Sequence, residues 1–218
     1  MIKPRVVFLD LDGTLIKGHS QELFMKYLLE KGFLSKGLCA KITFHYFAYK
    51  LGLMDNFALL RNEAFSALKG ISARKMFHIC DDFFKEVISP RIKPAMVNII
   101  SLHKARGDFL VLITATMSEI ADRVSQSLGL SYAISTELEI KDGLYTGKIL
   151  NGPVYADEKA RIANKFIKAK SFSLFESYCY TDHVSDLPLL SLVDNPITVS
   201  PHPALRRIAH CMGWLIIK

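Results

Sequence analysis

Apolar runs and helical-period stripes alternate along most of the chain. Residues 5–10, RVVFLD, form an uninterrupted β-branched run that ends in turn chemistry, the pattern of a strand buried on both faces. DFLVLITAT (108–116) and SYCYTD (177–182) repeat it, and NPITVS (195–200) and WLIIK (214–218) predict shorter strands towards a sheet edge. Between these runs the spacing predicts helices over 92–106, 117–128, 157–169, 185–193 and 203–212. Strands that alternate with helices imply an α/β fold, a parallel sheet covered on both faces. STELEIKDGLYTGKIL (135–150) differs: its alternating flanks and the turn residues Lys141, Asp142 and Gly143 predict a β-hairpin.

Residues 19–89 break the alternation. They hold no convincing strand and predict four helices, near 20–31, 37–52, 55–68 and 73–88, punctuated by Gly32, Gly52 and Gly70. The expected organisation is therefore an α/β core of residues 1–16 and 90–218 with a small all-helical domain, residues 17–89, inserted after the first strand. Pro90 and Pro94 mark the return to the core. The stretch GLCAKITFHYFAYKLGLM (37–54) is apolar on most faces. It reads as a helix buried between insertion and core, or as a face that meets a membrane surface beside Lys36, Lys41 and Lys50. At about 26 Å as a helix, and with lysines inside it, it is not expected to span a bilayer.

Composition narrows the class. The chain has 218 residues, half of them hydrophobic, enough for a sizeable core. A net charge of +7 suits anionic partners, but the basic residues are dispersed and no nucleic-acid motif is present, so no nucleic-acid partner is expected. Cys39, Cys80, Cys179 and Cys211 form no CxxC pair and read as reduced thiols of a cytoplasmic protein. The N-terminus lacks the pattern of a signal peptide, and no apolar run reaches the roughly 18 residues of a membrane span.

The candidate chemistry lies at strand ends. Ligands of open parallel sheets bind beyond the carboxyl ends of the strands, where Asp10 and Asp12 are expected. Two neighbouring acids that stay ionised need a cation, and a hard divalent metal suits oxygen ligands. Gly13 permits a tight turn against a ligand. DLDGT (10–14) resembles the signature of the haloacid-dehalogenase-like hydrolases, most of which are Mg²⁺-dependent phosphatases. Three further positions fit that resemblance in chain order: Thr114 in VLITAT, Lys159 in YADEKARI, and the pair Asp182 and Asp186 in YTDHVSDLPLL. Taken singly, Thr114 reads first as a helix-capping threonine and Lys159 as a solvated lysine. The ordered set carries the resemblance, which spans essentially the whole chain.

The resemblance implies a Rossmann-like three-layer core with a helical cap after the first strand, similar to the phosphoserine phosphatases. It implies that Asp10 is the nucleophile of an aspartyl-phosphate mechanism and Asp12 its general acid and base. Thr114, the backbone at Ala115, and Lys159 would hold the transferring phosphoryl group. Mg²⁺ would lie between the Asp10 carboxylate, the Asp12 main-chain carbonyl and Asp182, with Asp186 in its outer shell or coordinating directly. The substrate is expected to be a small phosphorylated metabolite. The phosphoserine phosphatases bind the substrate ammonium with a glutamate where this chain has His19, which suits an ammonium poorly whether neutral or charged, so phosphoserine is not the favoured substrate. His19 is the candidate substrate-binding residue of the cap, with Glu22, one helical turn on, as the weaker alternative. The alternative is a membrane-surface protein that acts on a lipid phosphate such as phosphatidylglycerophosphate.

Overall fold

The structure is a computed structural model that describes residues 4–33, 37 and 65–218. Its sheet has seven strands among the described residues, in the order β4-β3-β2-β1-β5-β6-β7. The strands are β1 (Val6–Leu9), β2 (Phe109–Met117), β3 (Tyr132–Lys141), β4 (Leu144–Leu150), β5 (Tyr178–Thr181), β6 (Asn195–Val199) and β7 (Leu215–Ile217). All pairings are parallel except β3 with β4.

Strand alternation builds the two cores. Val7 and Leu9 of β1 join Leu110 and Leu112 of β2 on one face; Val6 and Phe8 join Val111 and Ile113 on the other. The first face is covered by α1 (Ser20–Glu30), α2 (Ala73–Phe83), α3 (Pro94–Ala105) and α4 (Ser118–Leu128). The second is covered by α5 (Asp157–Lys170), α6 (Leu187–Leu190) and α7 (Pro203–Met212). The predicted three-layer α/β architecture is the one observed. β1 is central: the chain leaves it towards β2 and β3 and later returns on its other side as β5, so β1 and β5 form the topological switch point.

Helix α1 forms because Phe24, Tyr27 and Leu28 recur at helical spacing, and all three are buried. Phe24 and Tyr27 pack on Phe83 of α2, with ring centroids 4.9 and 5.3 Å apart. Ser72 caps α2 by accepting the Lys75 N–H at 3.2 Å. The helix predicted over 73–88 does not stay α-helical: a π-turn (Phe84–Ile88) and a 3₁₀ turn (Ser89–Arg91) follow Phe83. The one expected over 185–193 shortens to a 3₁₀ turn (Val184–Asp186) and α6, with Pro188 at its start. The helices predicted near 37–52 and 55–68, and the membrane-contact reading of 37–54, fall almost wholly outside the described residues.

The hairpin at 135–150 is present, with Asp142 and Gly143 both at positive φ as a tight two-residue turn requires. It is not a separate feature, however. Its first strand begins at Tyr132 and pairs with β2, so the hairpin extends the main sheet. It also grips the chain ahead of α2: Ala73 N–H donates to Gly143 O at 2.8 Å, Tyr145 N–H to Ile71 O at 2.9 Å, and Gly70 N–H to Tyr145 O at 2.9 Å.

Candidate active site

Asp10 follows β1 directly, and its N–H donates to Tyr180 O on β5 at 3.0 Å. By alternation with Val6 and Phe8 its side chain faces α5. Lys159, in the first turn of α5, is only 3% exposed. Its ammonium donates to Asp10 Oδ1 at 2.6 Å and to Asp186 Oδ2 at 2.7 Å. Thr181 Oγ1 donates to the same Asp186 oxygen at 2.7 Å. Burial alone would lower the Lys159 pKa, but the facing Asp10 and Asp186 carboxylates outweigh it and hold the ammonium above its ordinary range. Asp10 is pushed up, first by burial, with Asp186 and Asp182 adding to the rise and Lys159 opposing it.

The loop after Asp10 is closed by its own backbone. Gly13 N–H donates to Gly18 O at 3.1 Å and Leu15 N–H to Leu11 O at 2.9 Å. Gly13 sits at φ 73°, and a Cβ there would overlap the Asp182 carboxylate. The bare glycine therefore lets the end of β5 close on the loop of β1. Burial raises the half-buried Asp182 carboxyl to about 6. Lys93 braces the loop from outside, donating to Gly13 O and, at 3.4 Å, to Ser200 Oγ.

Asp12 turns the other way, towards α1. Its Oδ1 accepts the Ser20 N–H at 2.7 Å and its Oδ2 the Ser20 hydroxyl at 3.0 Å. Burial raises its pKa, and the two Ser20 hydrogen bonds offset part of that rise. Ser20 Oγ also lies 2.6 Å from Thr116 Oγ1, and Thr114 Oγ1 donates to Thr116 Oγ1 at 3.1 Å. Ala115, between these threonines, accepts from Gln21 Nε2 at 3.2 Å.

Asp10, Asp12, Asp182, Asp186, Thr114, Ala115 and Lys159 thus gather at the carboxyl ends of β1, β2 and β5. His19 precedes α1 on the exposed rim, close enough for its charge to influence Asp12 and Asp182. His183, also exposed, caps the 3₁₀ turn by accepting the Ser185 N–H, and its ring lies 5.7 Å from that of His202. Sequence reasoning missed Ser20, Thr116, Thr181 and Lys93. A serine eight positions beyond Asp12 and a threonine two beyond Thr114 carry no pattern; only the fold brings them together. Beside Thr116, a cavity of ≈ 20 Å³ is lined largely by apolar residues, among them Phe24, Met25, Phe65 and Leu68.

Among the described residues, no three His, Cys, Asp or Glu side chains group as a metal cage on their own. The donor set still fits a hard divalent cation that also takes carbonyl, water and phosphate oxygens. Lys159 is shared between Asp10 and Asp186, and burial still disfavours the ionised forms of Asp10 and Asp182, with the Asp182 charge adding to the rise at Asp10, so a further cation between these two carboxylates would favour both.

The arrangement has relatives. A profile of haloacid dehalogenase-like hydrolases matches residues 7–191, from β1 to just past α6. The chain belongs to this family. A histidinol-phosphatase of Neisseria meningitidis serogroup C (strain 8013) is 30% identical to this hydrolase over 214 residues, 96% of each chain. A solved protein of unknown function from Bordetella pertussis Tohama I is 28% identical and covers 100% of this chain and 99% of its own, with a TM-score of 0.91. A phosphoserine phosphatase solved as a phospho-aspartyl intermediate analogue covers 99% of this chain and 93% of its own. At 19% identity and a TM-score of 0.72, it shows that the hydrolase has a phosphoserine-phosphatase-like fold.

Proposed function

We infer that this hydrolase is a cytoplasmic Mg²⁺-dependent phosphomonoesterase that works through an aspartyl-phosphate on Asp10, with residues 17–89 as its cap. The observation that carries the reading is the buried Lys159 ammonium bridging Asp10 and Asp186 beside Asp12, Asp182 and Thr114. A fixed cation against a nucleophilic carboxylate eases the approach of an anionic phosphate. When bound, Mg²⁺ would neutralise phosphate charge as a Lewis acid, held by Asp10, the Asp12 carbonyl and Asp182. Asp186 is already engaged by Lys159 and Thr181 and would support the site from behind these ligands.

Asp10 attacks phosphorus while the bond from phosphorus to the leaving oxygen breaks, and Asp12 gives that oxygen a proton. Water then attacks the phosphorus of the aspartyl-phosphate, and Asp12 takes the proton from it. This frees inorganic phosphate and restores Asp10. Thr114 and the Ala115 backbone hold the phosphoryl oxygens. The substrate class is a small phosphorylated metabolite, of the kind named by the histidinol-phosphatase and phosphoserine phosphatase relatives. His19 stands at the rim through which such a molecule would enter.

A phosphate-release screen over phosphorylated metabolites, with Asp10→Asn as the blank, tests the reading. The expected outcome is Mg²⁺-dependent turnover in the wild type that falls on the order of 10³-fold or more in the blank. Equal Mg²⁺-dependent turnover in both proteins refutes the nucleophile.

A further inference from the structure

Asp12 is held unusually fully for a carboxylate on a loop. Ser20 engages both of its oxygens, through N–H at 2.7 Å and hydroxyl at 3.0 Å, and the Thr116 hydroxyl reaches Oδ2 more distantly at 3.5 Å. Ser20 opens α1, so its N–H is one of the donors that the helix leaves unpaired. Two bonds from one rigid residue fix the plane of the carboxylate as well as its position.

The contacts continue inward in a single direction. The Ser20 hydroxyl gives its one proton to Asp12, and the Thr116 hydroxyl, 2.6 Å from Ser20 Oγ and 3.5 Å from Asp12 Oδ2, turns its own proton towards that pair. Thr116 in turn accepts the Thr114 hydroxyl at 3.1 Å, and its N–H donates back to Thr114 Oγ1 at 3.2 Å. Thr114, Thr116 and Ser20 are each no more than 1% exposed. Thr114 and Thr116 share the α1 side of β2 because strand residues two apart point the same way. A one-way chain of buried hydroxyls therefore links the residue assigned to the phosphoryl group with the residue assigned to the leaving group.

We propose that Ser20 and Thr116 are positioning residues that hold the Asp12 carboxylate in line with the leaving oxygen and tie that orientation to Thr114. This rests on the reading of Asp12 as the group that protonates the leaving alcohol. A phosphoryl oxygen at Thr114 would draw the Thr114 proton to itself; the Thr116 N–H, which donates to Thr114 Oγ1 at 3.2 Å, would keep the two threonines joined while Thr116 and Ser20 hold Asp12. Were the hydroxyls only satisfying one another's burial, their loss would slow every substrate alike.

Leaving-group dependence separates the two cases. An alkyl phosphate needs a proton on its leaving oxygen; 4-nitrophenyl phosphate, whose leaving group is a stabilised anion, hardly does. Thr116→Val and Ser20→Ala are expected to lower kcat on an alkyl phosphate about tenfold or more beyond any loss on 4-nitrophenyl phosphate, a part of the 10²–10⁴ that general acids supply. Thr116→Ser, which restores the hydroxyl, should bring the ratio back towards wild type. Should Thr116→Val fail to fold by its near-ultraviolet circular dichroism, Ser20→Ala and Thr116→Ser carry the comparison. Equal losses on the two esters, or no loss on either, overturn the proposal. Asp12→Asn separates its failure from that of the underlying reading. If Asp12→Asn spares the alkyl ester, the reading of Asp12 falls and this proposal with it; if Asp12→Asn is selective and the Ser20 and Thr116 variants are not, this proposal falls alone.

Discussion

Gly13 shows how tightly the site depends on single atoms. It combines a φ of 73° with the space that the Asp182 carboxylate fills, so any side chain there is both strained and obstructive. Gly13→Ala is expected to destabilise by about 1–2 kcal/mol from the backbone alone and to displace Asp182. Thermal melts and phosphate-release assays read the two losses; a variant with wild-type melting and turnover would contradict the geometry. The neighbouring aspartates were legible in the sequence because few roles explain two acids and a glycine at the end of a buried strand. Asp182 and Lys159 were legible only as members of an ordered set. Ser20 and Thr116 were not legible, since a hydroxyl residue has many uses and theirs appears only when α1 and β2 meet.

Between elements, a buried chain joins the start of β1 to the middle of β5. Arg5 Nε donates to Asp108 Oδ1 at 2.8 Å, and Asp108 Oδ2 accepts from His103 Nδ1 at 2.7 Å. His103 Nε2 meets the Tyr180 hydroxyl at 2.8 Å, one residue before Thr181. Burial pushes the Asp108 carboxyl up, but the hydrogen bonds from His103 and Arg5 outweigh it and hold the carboxyl below its ordinary 3.8. The folded protein therefore releases this proton more readily than the unfolded chain. Its stabilising contribution is full above about pH 4 and is lost as the pH falls through the lowered folded value. Asp108→Asn is expected to flatten the acid limb of a stability–pH curve measured by urea unfolding; an unchanged limb would remove Asp108 from the account. The sequence marked β1, β2 and β5 as strands through their apolar runs, but it placed the hairpin apart from them. Local pattern reports a turn and its flanks; that β3 also pairs with β2 is a long-range fact.

For the molecule as a whole, the carboxylates at the switch point would make the proposed metal affinity a function of pH. Burial raises Asp182 from 3.8 to about 6, and Asp10 shifts the same way. The folded protein holds these protons more tightly than the unfolded chain, so the Asp182 contribution to metal-free stability is greatest below about pH 4 and declines as the pH rises towards 6. A cation needs the ionised forms, so thermal stabilisation by Mg²⁺ is expected to be small near about pH 5 and to grow towards about pH 8. Scanning fluorimetry at constant ionic strength reads this, and a pH-independent shift would contradict the assigned ligands. The layered core was legible at this scale because helix and strand periods alternate so regularly; the attachment of the insertion was not, because it is made by backbone atoms of Gly70, Ile71 and Ala73 whose side chains signal nothing. That attachment has a mechanical consequence. The chain just outside and just inside the two ends of segment 17–89 is cross-linked, Lys17 N–H donating to Arg91 O at 2.9 Å and Lys93 N–H to Leu15 O at 2.8 Å, while residues 70–73, well inside the segment, are spliced to the hairpin at Gly143 and Tyr145. A strip held at both ends and clasped once more along its length cannot swing as a free door: any shift of residues 70–73 against the sheet must break these backbone hydrogen bonds or carry the hairpin with it.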